Sequence, residues 1–499
     1  MNGWSAGYVT DITYVTGWYR QQSPAMMALA CLMGSVDVRL PAADDPLQVL
    51  ELGCGQGFGA MILAASNPAW HVTAVDFNPA HVAAARLWAA EAELTNVTFI
   101  EADLATLAED TASRLIPEAD FVTLHGVWSW VPRSVQDGIV RLLRNKVRAG
   151  GVVHVSYNAL PAWGPVLGMQ RVMREAGRRL AWRSDRQAEE GLAIIQSLLA
   201  AEARQLNQSS LGQSLIGRLD KMPAAYLAHE YMNEHWQPCF MADVAGALAD
   251  AKLDFVASSQ LVENFPDLLL TEPQRAVVQK FEDPIMRETI KDLCVERALR
   301  HDVYVRGAQR LDPASRDAAL ADVRIGLNIH PDDLPLEVQM PAGKAELNPD
   351  FYQPIVRAAS KGPSLIKDLL ALPEIVGRRR NPAELVGMLV GLEMADLVAR
   401  PESEPGTEAM RFNSVTARRF VRSENLTRVI ALASRRTGAG VATSLLDLIV
   451  LERLRAGQTD MEALLRQINP DPEHVDQVRQ TLDDSLNKRM SFLRGAGVF

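Results

Sequence analysis

Between residues 47 and 157, short continuous apolar runs alternate with segments of helical period. Leu47–Leu52, His71–Asp76, Val97–Glu101, Phe121–His125 and Val152–Tyr157 read as buried strands. Helices are predicted between them over Ala60–Ala65, Pro79–Glu93 and Val135–Val147. The second helix opens on Asn78-Pro79, where Asn can cap a free N–H and the fixed φ of Pro suits the first turn. Strands alternating with helices mean βαβ units around a parallel sheet. Residues 1–45 ahead of this region form an aromatic-rich lead-in with Tyr8, Tyr14, Trp18 and Tyr19, then a helical stretch from Pro24 to Gly34.

The rhythm changes after residue 165. Residues 166–218 are helical by pattern, with Arg and Glu interspersed and no strand candidate. A helix over Phe240–Ala251 and strands over Phe255–Ser259 and Asp302–Arg306 restore the α/β rhythm, and the two strands are predicted as the sixth and seventh of the same sheet. Pro and Asp are frequent across 308–344, as in Pro331-Asp332-Asp333, which fits a linker or small β element. From Ala345 the chain is largely helical, with apolar spacing at Leu365, Leu369 and Leu370 and across Val441–Leu454. At 499 residues the chain exceeds the roughly 250–300 residues one core supports. The expected division is a lead-in at 1–45, an α/β core at 46–165 and 236–307, a helical insertion at 166–235, the linker, and a helical C-terminal domain at 345–499.

Composition narrows the classes of function. Apolar content of 48% and charged content of 22% are ordinary for a soluble globular protein. A net charge of -10 argues against a large nucleic-acid footprint, which needs clustered Lys and Arg. The short basic run Arg378–Arg380 reads as a solvated turn. Cys31, Cys54, Cys239 and Cys294 are scattered, without a CxxC pair or a neighbouring His at ligand spacing, so no metal is expected and a reducing compartment is. Met1-Asn2-Gly3-Trp4-Ser5 lacks the regions of a signal peptide, and no apolar run approaches the ~20 residues of a membrane span; a cytoplasmic location is the expectation.

The segment that carries chemistry is Glu51-Leu52-Gly53-Cys54-Gly55-Gln56-Gly57, which ends the first strand and opens a helix. Glycines here let the backbone approach a ligand, and helix N-terminal N–H groups can donate to it. Asp76, at the end of the second strand, is placed to accept hydrogen bonds from two ribose hydroxyls, with Phe77 beside it. Glu101-Ala102-Asp103-Leu104 follows the third strand, where a carboxylate can meet an adenine amino group. The spacing is not the GxGxxG that cradles a pyrophosphate, and Glu51 would repel phosphate while suiting a sulfonium and an ammonium group.

Residues 47–157 resemble the core of class I S-adenosylmethionine-dependent methyltransferases, which implies a Rossmann-like seven-stranded methyltransferase sheet. The resemblance implies that Gly53, Cys54, Gly55 and Gly57, preceded by Glu51, line the methionine moiety. It places Asp76 and Phe77 at the ribose, Ala102 and Asp103 at the adenine, and His125 beside the sulfonium. Asp/Asn-Pro-Pro-Tyr/Phe, the motif of amino-group methylation of DNA bases, is missing after the fourth strand, and so is a His/Asp/Glu cluster at metal-ligand spacing.

Four further stretches resemble bacterial methyltransferases that carry a regulatory domain. They are Gly7–Tyr14, His125-Gly126-Val127-Trp128-Ser129-Trp130-Val131-Pro132, Ser156-Tyr157-Asn158-Ala159-Leu160-Pro161-Ala162-Trp163, and His229-Glu230-Tyr231-Met232-Asn233-Glu234-His235-Trp236-Gln237-Pro238. The best-understood members of that group are protein-lysine methyltransferases acting on bacterial outer-membrane proteins. The implied activity is lysine N-methylation of a protein, such as an outer-membrane or secreted protein before export. Tyr14, His125, Tyr157 and Asn158 are the catalytic candidates, and Tyr8, Tyr14 and Tyr19 are candidates to flank an acceptor amine. His229 and His235 read as capping or packing groups with a lid contact as the alternative, and Trp236 as core. Two alternatives stay open: a small-molecule methyltransferase, and a non-catalytic cofactor-binding scaffold. The insertion is a candidate surface for a homodimer.

Overall fold

The computed structural model describes residues 7–12, 16–41, 44–180, 182–207, 222–375, 377–378, 381–402, 404–420, 429–455, 460–468 and 475–499, with positions 212, 214, 217 and 457. Tyr14, Arg379, Arg380 and most of 208–218 lie outside the described residues.

Seven strands form one sheet: β1 (Gln48–Leu52), β2 (His71–Asp76), β3 (Val97–Glu101), β4 (Ala119–Leu124), β5 (Val147–Asn158), β6 (Leu253–Ser258) and β7 (Leu299–Arg306). Their order is β3-β2-β1-β4-β5-β7-β6. All run in one direction except β7, which is antiparallel to both β5 and β6. β7 reverses because the helical excursion after β6 leaves at the carboxyl ends of the strands and re-enters from that side. The sheet is Rossmann-like, with helices on both faces. Its strand order reverses between β1 and β4, the place where open α/β sheets leave a crevice for a ligand.

Alternation along the strands divides the core. Val49, Val72 and Ala74 face α2 (Phe58–Ser66) and α3 (Pro79–Glu91). Leu50, Leu52, Val122 and Val153 face the opposite layer, with Ile139 and Leu142 of α4 (Arg133–Lys146) and Val244 and Leu248 of the helix Met241–Ala249. α1 (Pro24–Met33) begins at Pro24 because the Ser23 side chain accepts the Met26 N–H. The glycine pair Gly150-Gly151 sits inside β5, not ahead of it. Val147 already pairs with Ala119, and the ladder resumes at Val152 opposite Phe121 after a break in register.

α5 (Leu167–Gly177), α6 (Ser184–Ala200) and α7 (Ala224–Tyr231) enclose Met169, Met173, Ile195 and Leu227 together with Trp163 and Trp236. This cluster holds the lead-in. Val9 packs into it, the Val9 N–H donates to Asn233 Oδ1 at 2.9 Å, and the Glu234 N–H donates to the Gly7 carbonyl at 3.1 Å. The lead-in therefore lies over the carboxyl end of the sheet.

The C-terminal region is largely helical, with short strands. Arg324–Leu327 pairs with Ser364–Leu365 on one side and Ala395–Leu397 on the other, and Val429–Ser434 forms a hairpin with Ala439–Ser444. These elements complete cores begun earlier in the chain. α2 carries no charged residue and is buried on every side, so one layer of sheet cannot cover it. Its second cover is the hairpin and the helix Thr407–Phe420. Phe412 stands 6.0 Å from Phe58 and 6.2 Å from Trp88, between centroids, with Phe420 closing the group. No helix among the described residues is long and apolar enough to cross a membrane.

Phe412→Ala removes the ring that joins the C-terminal cover to α2 and α3. We expect a loss of about 3–5 kcal/mol, read as a lower unfolding midpoint in denaturant, with the far-ultraviolet spectrum of the native state unchanged.

Candidate functional site

The turn after β1 is built from three residues in the left-handed region. Gly53, Gly55 and Gly57 have φ of +74°, +53° and +72°. A Cβ on Gly53 would lie 2.3 Å from Val127 Cγ2, and one on Gly57 2.3 Å from Phe99 Cε1. Gly55 differs: a Cβ there would meet nothing within 4 Å and would enter the open space of the crevice. The Gly53 and Cys54 N–H groups both donate to the Val75 carbonyl, which ties the turn to the neighbouring strand.

Asp76 ends β2 beneath this turn. Its Oδ2 accepts the Gly55 N–H at 2.8 Å, and its Oδ1 accepts the Asn78 N–H at 2.9 Å with His81 Nδ1 at 3.4 Å. The carboxylate thus fixes both the glycine turn and the start of α3, and it borders a cavity of about 800 Å³. The same cavity is lined by Gly53, Gly55, Phe77, Glu101, Ala102, Asp103, His125, Gly126, Val127 and Trp130 from the sheet loops. Tyr8 and Tyr19 of the lead-in and His229 and Glu230 of α7 close the other side. Tyr8 meets Phe77 edge-on at 5.7 Å and lies 6.2 Å from His229, whose Nε2 is 3.1 Å from the Ile12 carbonyl oxygen. Tyr19 stacks on His125 at 3.8 Å.

Burial governs the titration of this wall. His125 is held well below the ordinary histidine range, first by burial and then by the neighbouring His301, so its ring is neutral. Burial, with the nearby charge of Glu230, raises the phenols of Tyr8 and Tyr19, and Asp76 adds to the effect at Tyr8. Glu230 is pushed up to about 7 by burial alone. The space holds carboxylates and aromatic faces without a lysine or arginine among its lining residues, an environment for a cation and not for a phosphate.

Of the candidate cofactor residues, Gly53, Gly55, Asp76, Phe77, Ala102, Asp103 and His125 are brought together on the cavity. Glu51, Cys54 and Gly57 do not line it. Glu51 is buried beside the start of α2, where its carboxyl is pushed up to about 8 by desolvation against the Ala60 N–H. Cys54 is buried with Sγ 3.6 Å from the Gly55 carbonyl oxygen, and Gly57 caps α2 against Phe99. Among the catalytic candidates, Tyr157 and Asn158 are buried away from the cavity. β5 turns Tyr157 to the opposite face of the sheet, where its hydroxyl donates to Asp302 Oδ2 at 2.5 Å within the ion-pair network of Arg300. The Asn158 N–H is taken by Ser129 Oγ. The group sequence reasoning missed is Glu230. It sits in the His229–Pro238 stretch, yet nothing in that stretch marks a carboxylate that α7 carries back over the sheet.

A family model described as a methyltransferase domain matches residues 49–151, and one described as a predicted methyltransferase regulatory domain matches residues 223–306. The uncharacterised protein sll1526 of Synechocystis sp. is 30% identical over 453 residues, covering 90% of this chain and 87% of its own length. The chain belongs to the S-adenosylmethionine-dependent methyltransferases that carry a regulatory domain. The uncharacterised protein RP789 of Rickettsia prowazekii is 23% identical to this methyltransferase over 329 residues, 65% of the chain and 54% of that protein. PKMT2 from Rickettsia typhi, solved in complex with AdoHcy, shares the fold over 95% of this chain and 98% of its own, with a TM-score of 0.67 and 16% identity. The open cradle at Gly55, the carboxylate of Asp76 and the cation-suited walls fit the methyltransferase's cofactor.

Asp76→Ala removes an anchor of the glycine turn together with the acceptor for ribose hydroxyls. The S-adenosylmethionine dissociation constant, measured by titration calorimetry, should rise on the order of a hundredfold, the equivalent of one or two hydrogen bonds to a charged group.

Proposed function

We propose that this methyltransferase N-methylates lysine side chains of a protein substrate. The observation that carries the reading is Glu230, a carboxylate sunk into the cofactor cavity beside the rings of Tyr8 and Tyr19. A carboxylate flanked by aromatic faces is the environment that attracts an alkylammonium. The Rickettsia relative that shares the fold end to end is named PKMT2, a protein-lysine methyltransferase, which supports the same reading.

The residues divide the work. Gly53, Gly55 and Asp76 would hold the cofactor, with Phe77, Ala102 and Asp103 toward the adenosine side. When bound, S-adenosylmethionine supplies a methyl group on a sulfonium, so that an N–C bond forms as the S–C bond breaks and the nitrogen gives up a proton. The chain's task is to bring the acceptor nitrogen into line and to let that proton go. Glu230 attracts the ammonium form as a carboxylate and can take a proton from it near neutral pH, because burial has raised its proton affinity toward the working range. Tyr8 and Tyr19 stay protonated, so they orient the amine through ring faces and phenol oxygens and do not act as bases.

Radiolabelled methyl transfer into a host extract separates this reading from its rival. Label in a denaturation-resistant protein band, with methyl-lysine after digestion, is the expected result. Label confined to the small-molecule fraction would replace it with a low-mass acceptor. On a lysine peptide, Glu230→Gln should lower kcat/KM at least tenfold without changing cofactor affinity. In the parent enzyme kcat/KM should rise as pH climbs through about 7, because Glu230 loses its proton and gains its attraction for ammonium. Glu230→Gln should lose that limb and keep only the rise at higher pH from the amine itself.

A further inference from the structure

We propose that His125, His154 and His301 form a three-histidine site for a divalent transition metal, with zinc the ion its geometry suits. These side chains come from the end of β4, from β5 and from β7, three adjacent strands. His154 lies opposite Thr123 of β4, and His301 pairs with Ser156 of β5, two residues on from His154. All three therefore project from the same face of the sheet. One ring nitrogen of each lies within 4.8 Å of one from each of the others.

The three rings lie close enough for one nitrogen of each to reach a shared ion after small side-chain rotations. The ring centroids stand 5.5, 5.5 and 6.2 Å apart, and the ring planes differ by 7° to 21°. His154 Nε2 and His301 Nδ1 are 3.2 Å apart. Two nitrogens at that separation, each bonded at roughly 2.0–2.1 Å to one ion, subtend an angle of about 100°, close to tetrahedral. The outer nitrogens of two rings are already held: His154 Nδ1 lies 3.0 Å from Thr123 Oγ1, and His125 Nδ1 lies 3.0 Å from Ser156 Oγ. Thr123 Oγ1 also lies 3.4 Å from Gln22 Oε1; with its hydroxyl proton directed there, His154 Nδ1–H donates to the threonine and Nε2 carries the lone pair toward His301. This is the supporting arrangement that orients metal-bound imidazoles.

Three neutral imidazoles without thiolate or carboxylate leave the ion's charge and one coordination position free, as in open zinc sites. His125 also forms part of the cofactor cavity wall, where Tyr19 covers its ring. An ion here would pin the loop after β4 to the middle of the sheet. Spacings of 29 and 147 residues between successive ligands hide the set from any spacing motif.

The test is metal content and affinity of the full chain. Protein stripped with a chelator is titrated with zinc against a chromophoric competitor, and cobalt(II) is added separately to read coordination from its visible absorption. One equivalent of zinc bound below micromolar, a tetrahedral cobalt spectrum, and at least a hundredfold weaker binding in His301→Gln are expected. His125→Gln, at the less buried edge of the set, gives the same reading should His301→Gln fail to fold. No stoichiometric binding, or binding untouched by both substitutions, would overturn the site and leave the rings as a hydrogen-bonded neutral cluster. Zinc-binding can fail while lysine methylation holds, and the reverse, so the two proposals are separable.

Discussion

The turn at the end of β1 sets the terms for the rest of the molecule. Three glycines in the left-handed region bring the backbone of one strand under the carbonyl of Val75 and over the carboxylate of Asp76. Only that conformation lets α2 start directly at the crevice, and only a residue without Cβ clears Val127 and Phe99. The crevice lies where the strand order reverses, so the same turn that builds the sheet also faces the ligand. Fold and site share one piece of backbone.

A second constraint follows from α2 itself. A helix apolar on every side cannot sit on one sheet and meet water on the other face. The C-terminal hairpin and the helix Thr407–Phe420 answer that need, with Phe58, Trp88, Phe412 and Phe420 packed ring against ring. On the adjoining face, α1 shares its core with the helices Pro349–Ala359 and Pro382–Gly391. The C-terminal half is therefore part of what keeps the cofactor domain's helices dry.

Charge and burial then shape the cavity. Asp76 and Glu230 contribute carboxylates from opposite walls, while Glu51 is sealed beside the turn and pushed up to about 8. A dense buried charge network lies elsewhere. Arg300 meets Asp302, Asp292 and Glu288 at 3.0, 2.7 and 2.9 Å, and it takes Tyr157 into that network and out of the site. Arg300, Asp302 and Tyr157 belong to the frame around β7.

The strands, the order of helices around them and the cofactor loop were legible in the sequence because each is local. Apolar runs, Asn78-Pro79 and the glycine spacing after Glu51 all carry their signal within a few residues, and Asp76 and Asp103 follow at fixed strand ends. Tyr157 lies away from the cavity for a physical reason: alternation along β5 turns it to the face opposite Ser156 and Asn158, and a motif cannot say which face meets the ligand. Tyr8, Tyr19 and Glu230 are brought to the cavity by contacts across more than two hundred residues, such as Val9 to Asn233. His154 and His301 meet His125 only through the pairing of β4, β5 and β7. The sequence by itself determined that this chain builds a cofactor turn on an α/β sheet, because backbone conformation is written locally. Only the tertiary structure decided which side chains line the cavity together, because that depends on strand pairing, on the reversal of β7 and on where α7 returns over the sheet.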